Sequence, residues 1–124
     1  MTLTSTVTYI SVGSVTIYAP RSGMILFTAT AEVFCSALGS VGNAAARISV
    51  NVDSTNPWPG FDYPIGIADC MATTGPTFFE RVITITAPFN VSAGSHTVHM
   101  VARNDGGTQN PVMGDRLMTA IFVD

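Results

Sequence analysis

The chain contains no lysine. Its cationic side chains are Arg21, Arg47, Arg81, Arg103 and Arg116 alone. Charged residues form 10% of its 124 residues, against about a quarter in an ordinary soluble domain. Hydrophobic residues reach 47%, so the deficit lies in surface charge and not in core. Codon bias in a GC-rich genome would exchange Lys for Arg without lowering total charge. A domain of this size must show much of its surface to water. Scarce charge therefore points to burial of part of that surface against other chains. The net charge of −3 and pI near 5.0 exclude the basic face that nucleic acid requires. The five arginines are scattered and form no patch.

Long apolar runs are missing too. None approaches the ~20 residues that span a bilayer, and the stretches at Met24–Ala31 and Ala120–Val123 are strand-length at most. No membrane partner is expected. The opening MTLTSTVTYI has no basic region, no continuous apolar core and no small-residue cleavage site. It is read as carrying no secretory leader, and Asn90-Val91-Ser92 is then an accidental sequon. Cys35 and Cys70 form no CxxC pair, which leaves zinc and thioredoxin-type chemistry unsupported. They are expected as free, largely buried thiols, with a single disulfide as the alternative. No cofactor is expected.

What is present alternates with period two. Ile25, Phe27, Ala29, Ala31, Val33 and Cys35 share one face, and Thr28, Thr30, Glu32 and Ser36 the other, which marks a half-buried antiparallel strand. Ala46, Ile48, Val50 and Val52 are expected inward, with Arg47, Ser49, Asn51 and Asp53 outward. Phe79–Thr86, Ser95–Arg103 and Arg116–Val123 are further strands. In the last, Leu117, Thr119, Ile121 and Val123 alternate with Met118, Ala120 and Phe122. Both faces are fairly apolar, as in a strand covered on both sides, by a second sheet or a neighbouring subunit. Leu3, Ser5, Val7 and Tyr9 also alternate with threonines, and Ser14–Ala19 follows as a short strand. Turns are marked at Ala19–Gly23, Gly39–Asn43, Ser92–Ser95 and Asn104-Asp105-Gly106-Gly107. No helix is expected, because Ala37–Arg47, the one alanine-rich stretch, is interrupted by glycine. The expectation is one domain over 1–124, an all-β antiparallel β-sandwich of about eight strands, jelly-roll-like. Residues 1–12 would be an N-terminal arm or edge strand.

The long connection from Ser54 to Thr77 holds four of the seven prolines, three of the eleven glycines and the only tryptophan. A short strand over Ile65–Met71 fits within it. Loops of this length are commonly functional. Trp58, Phe61 and Tyr63 in it are the candidate binding residues, since exposed aromatics stack on sugars or dock into partner pockets. Packing over the open end of the sandwich, or a subunit contact, is the competing account.

Catalytic constellations are absent from the sequence. His96 and His99 stand three apart and so point to opposite faces of a strand, where they cannot share a metal. Asp53, Asp62 and Asp69 lack the spacing of a calcium loop. No Gly-x-Ser-x-Gly elbow occurs, and Glu32 and Glu80 both fall on outward positions. The expectation is a non-enzyme with no metal site.

Three stretches together resemble the TNF/C1q-like jelly rolls. They are Ile17–Phe27, with its Pro20 and Gly23 turn before an aromatic strand; Val91–Val98, with its late glycine turn; and the apolar closing strand Arg116–Val123. The resemblance covers a minority of the chain, and no collagen-like stalk precedes it. It implies architecture: a compact domain that commonly forms homotrimers and recurs in bacterial surface proteins and in phage fibre and capsid-decoration proteins. The expected function is thus a structural virion subunit, assembled in the host cytoplasm, with itself and a major capsid or other surface protein as partners. The alternative is a small extracellular or cell-surface lectin or adhesin head that binds glycans through the 54–77 loop.

Overall fold

The computed structural model describes residues 1–37, 42–57, 65–72, 77–107 and 110–124, with the backbone alone for 35–37, 42–43, 65–72 and 77–79. Seven strands are present: β1 (Ile10–Ala19), β2 (Gly23–Ala37), β3 (Gly42–Val52), β4 (Ile65–Ala72), β5 (Thr77–Val91), β6 (Gly94–Gly107) and β7 (Val112–Val123). They form a four-stranded sheet, β1-β6-β3-β4, and a three-stranded sheet, β5-β2-β7. All pairings are antiparallel.

The pairings are nested. β3 pairs β4, β2 pairs β5, and β1 pairs β6. Outside these, the N-terminal segment pairs β7 through the Thr2–Val112 bridge. The chain is therefore one long hairpin with its tip between β3 and β4. Rolling that hairpin up adds the β2–β7 and β3–β6 ladders. This is a jelly roll, in which Met1–Leu3 lie antiparallel to the start of β7.

The sheets bury the faces that the alternation assigns to the core. Ile25, Phe27, Ala29, Ala31 and Val33 of β2 meet Ala46, Ile48 and Val50 of β3 and Val98, Met100 and Ala102 of β6, all at 0% exposure. Arg81 opposite Val33 and Glu80 opposite Phe34 mark where β5 leaves the apolar rows.

Two expectations need correction, and two gain detail. Residues 1–9 are not a continuous strand. Met1 and Leu3 pair with Met113 and Pro111, but Ser5 Oγ then accepts the Val7 and Thr8 amides and turns the chain away. Asn104-Asp105-Gly106-Gly107 is not a hairpin turn but the irregular end of β6, still paired to β3. Asn104 Oδ1 accepts the Gly106 amide at 2.7 Å, and Gly106 and Gly107 have φ of 109° and 118°, which glycine alone adopts readily. Ser49 and Asn51 lie on the outer side of the larger sheet yet are buried; Asn51 is held by the carbonyls of Asn56 and Pro57. Finally, among the described residues β7 is covered on one face only, where Met118 and Ala120 pack on the core.

Leu3 is 1% exposed and belongs to the core. Leu3→Ala is expected to cost about 2–5 kcal/mol. Urea denaturation should show a lowered midpoint with an unchanged slope.

Candidate interaction surface

The outer face of the three-stranded sheet is built by β2, β5 and β7 in register. Leu26 lies between Pro88 and Ile121, Thr28 between Thr86 and Thr119, and Thr30 between Thr84 and Leu117. Met24 lies between Asn90 and Val123. None of these twelve positions is charged. The threonine hydroxyls bond to each other across the strands, Thr28 to Thr86 at 3.2 Å and Thr30 to Thr84 at 3.0 Å. Such pairs lock the rows and satisfy hydroxyls within the face. Leu117 is 70% exposed, Val82 61% and Ile121 55%. Their neighbours Met118 and Ala120 turn inward and pack on the core. The apolar character of both faces of β7 thus reflects one side in the core and one side left bare.

Charge returns only at the ends of this face. Glu32, Glu80 and Asp115 gather toward one end, where Glu32 Oε2 accepts the Asp115 amide. At the other end Arg21 pairs with Asp124, Nε to Oδ1 at 2.8 Å.

The larger sheet is treated differently. Arg47 and Arg103 are directly opposite on β3 and β6, a repulsive pairing in itself. Asp105 resolves it, lying 2.9 Å from Arg47 and 3.3 Å from Arg103. Arg103 also donates to the Thr6 carbonyl and stands 5.4 Å above the Tyr9 ring, a cation–π distance. This cluster ties the N-terminal arm onto the outer side of its sheet. A groove of about 650 Å³ remains between Thr6–Tyr9 and Asn56-Pro57, with Arg103 in its wall.

His96 and His99 do fall on opposite faces of β6. His99 meets Ser11 Oγ at 3.2 Å. His96 Nδ1 lies 2.7 Å from Asp53 Oδ2, and Nε2 lies 2.9 Å from the Ser92 carbonyl. Both ring nitrogens face acceptors, an arrangement that only the doubly protonated ring satisfies as donor. The hydrogen bond to Asp53, with that to Ser92, accordingly raises the His96 pKa from its ordinary 6.5 against the opposing effect of burial. For Asp53, burial acts upward but is outweighed by the bonds from His96 and the Thr97 amide, so its pKa is lowered. Asp53 has φ of 55°, a region Asp enters more readily than most residues. The pair clasps the end of β3 to the start of β6, and among the described residues no third His, Cys, Asp or Glu joins it as a metal ligand.

Trp58, Phe61 and Tyr63 lie outside the described residues, as do Asp62 and the turn at 38–41. Nothing is described of the Cys35 and Cys70 side chains. Among the described residues no group of His, Cys, Asp or Glu side chains could hold a metal ion. The bare face was legible only in part: alternation gave its residues, but not which of β7's two apolar faces is covered. No family model, curated protein or solved structure matches the chain.

The clasp sets a pH dependence. A raised His96 pKa stabilises the fold fully below about 6.5 and ceases to do so as pH rises through the folded value. A lowered Asp53 pKa stabilises it above about 3.8 and ceases as pH falls through the folded value. The joint contribution is therefore complete between those limits. NMR titration should place the His96 midpoint above 6.5, and Asp53→Asn, which keeps the backbone conformation, should bring it down. The same variant should flatten the fall in stability from pH 6 to 8.

Proposed function

We propose that this chain is a non-enzymatic structural subunit of a symmetric homo-oligomeric assembly, a virion decoration or fibre component. The observation that carries the proposal is the run of charge-free central rows on the outer face of β5-β2-β7, from Met24 to Thr30 on β2. Three strands of this length cover about 30 Å by 15 Å, comparable with the exposed patches that mark interaction sites. The scarcity of charge in the whole chain supports the same reading. The jelly-roll order of strands is compatible with it but does not select it, since one fold serves many functions. Capsid-type lattices supply the kind of partner such a face would meet: a major capsid or other surface protein. Three copies is the number implied by the TNF/C1q-like resemblance. In this reading the protein is made in the host cytoplasm and resides in the virion.

A second reading has its own support. The groove beside Tyr9, Asn56 and Pro57 opens where the 58–64 segment begins, and its hydroxyl, amide and aromatic lining is of a kind that suits a sugar. A lectin or adhesin head would use it together with Trp58, Phe61 and Tyr63. Loss of glycan binding in Trp58→Ala, with fold and mass unchanged, would favour that reading.

The assembly reading predicts an oligomer in light scattering during size exclusion. Leu117→Asp, placing a charge at the most exposed point of the bare face, should abolish binding to virions or to a purified surface lattice. Its unfolding midpoint should change by less than about 0.5 kcal/mol equivalent, as for a surface substitution. Wild-type protein that stays monomeric and binds no lattice would overturn the proposal.

A further inference from the structure

The turn between β5 and β6 carries the chain from the smaller sheet to the larger one. His96 stands just beyond it, on the same side of β6 as the buried Val98 and Met100, at the rim where the sheets come together. Ile17 is its neighbour across the β1–β6 ladder. The His96 side chain is 11% exposed. One ring nitrogen reaches Asp53 at the end of β3, and the other reaches back to the Ser92 carbonyl in the turn. The two partners are held unequally. Asp53 donates its amide to the Thr97 carbonyl at 2.7 Å and accepts the Thr97 amide on Oδ1 at 2.8 Å. It is thus fixed to β6 without the histidine. Ser92 and Ala93 are exposed and lie outside both strands.

We propose that His96 is a proton-operated latch on the β5–β6 turn: the doubly protonated ring holds the turn, and the neutral ring keeps Asp53 and lets the turn go. The donor count separates the two states. The imidazolium has two N–H groups and the neutral ring has one. Asp53 offers a carboxylate, and a hydrogen bond to an ionised acceptor is about twice as strong as one to a neutral carbonyl. The remaining proton therefore stays on Nδ1. Nε2 then turns a lone pair toward the Ser92 carbonyl oxygen at 2.9 Å, two acceptors with no proton between them. Asp53 is anchored and cannot retreat. The exposed turn can, and its carbonyl finds water instead. The change is local, freeing 92–93 while β3 and β6 stay paired, and it holds whatever the bare face binds.

Among the described residues Asp53 is the charged group that acts on the ring. β1 presents the uncharged Ile17, and the turn presents a carbonyl. Arg21 and Asp124, at the same end of the sandwich, pair with each other. His99 lies on the opposite face of β6, and its charge acts on Asp53. The bonds to Asp53 and Ser92 raise the His96 pKa above its ordinary 6.5. The latch is therefore closed below the folded value and opens as pH rises through it. Asn90 and Val91, which lead into the turn, pair with Met24 and Gly23. The latch thus sits at one end of the bare face.

NMR of the full chain from about pH 5 to about pH 9, a range that brackets the ordinary histidine value, tests the latch. Nitrogen-15 shifts of the ring should show both nitrogens protonated at the acid end and the Nδ1–H tautomer at the alkaline end. Backbone order parameters of Ser92 and Ala93 should fall from about 0.85 to below about 0.6, with the same midpoint as the ring. Those of Asp53 and Thr97 should stay at about 0.85 throughout. His96→Gln, which cannot titrate, should make the order of the turn independent of pH. Asp53→Asn should move the ring and the turn together to a lower midpoint. A neutral ring in the Nε2–H form would overturn the latch, and so would a turn that stays rigid while the ring titrates. A turn that loosens with a midpoint different from that of His96 would overturn it as well.

Discussion

β2 is the strand on which the smaller sheet and much of the core depend. It pairs β5 along its whole length and β7 from Met24 to Phe34. Ile25, Phe27, Ala29, Ala31 and Val33 fill the core from its inner face. A slip of one residue would exchange these for Leu26, Thr28, Thr30 and Glu32 and place a carboxylate between the sheets, a change no local adjustment could absorb. The two ladders therefore hold one register between them. The threonine bonds to β5 on the outer side, though exposed and individually weak, reinforce the same alignment.

The two sheets dispose of their outer faces in opposite ways. The larger sheet draws the N-terminal arm and the Asn56-Pro57 carbonyls over itself, and so tolerates two facing arginines, a buried serine and a buried asparagine. Among the described residues, the smaller sheet draws nothing over itself and carries no charge across its central rows. The difference matters functionally because the second arrangement leaves apolar side chains in water in an otherwise well-packed molecule. It is the asymmetry between the faces, more than the exposure of any single leucine, that supports the assembly reading.

The alternation of β2, β3 and β6 was legible because each has one fully buried face, and period two survives wherever one side is core. The short strand expected over Ile65–Met71 inside the long connection is present as β4, Ile65–Ala72. Ser49 and Asn51 do face outward as expected; their burial was not legible because alternation reports which side a residue lies on, not whether a distant segment covers that side. The Asn-Asp-Gly-Gly run was misread because positive-φ chemistry serves a bulge as well as a turn. The arm was misread because Ser5 is a strand residue by pattern and a turn residue by its hydroxyl. The bare face escaped in the same manner: alternation gave the residues of β7, but not which of its two apolar sides packs on the core.

The nesting of strands bears on how the chain reaches this state. β3 and β4 are the only consecutive strands that share a sheet. Every other ladder joins segments far apart in the chain, and the outermost closes Thr2 onto Val112. Such topologies fold slowly, since each long loop loses its entropy before its contacts form. The inner pair offers the one short-range starting point, and the later pairs add outward from it, with the arm last. During that interval β2, with one charge, and β7, whose two charges lie near its start, present long and sparsely charged edges to other unfinished chains. A protein built this way is exposed to misassembly while it folds, and its production in quantity calls for low temperature, dilution or a chaperone.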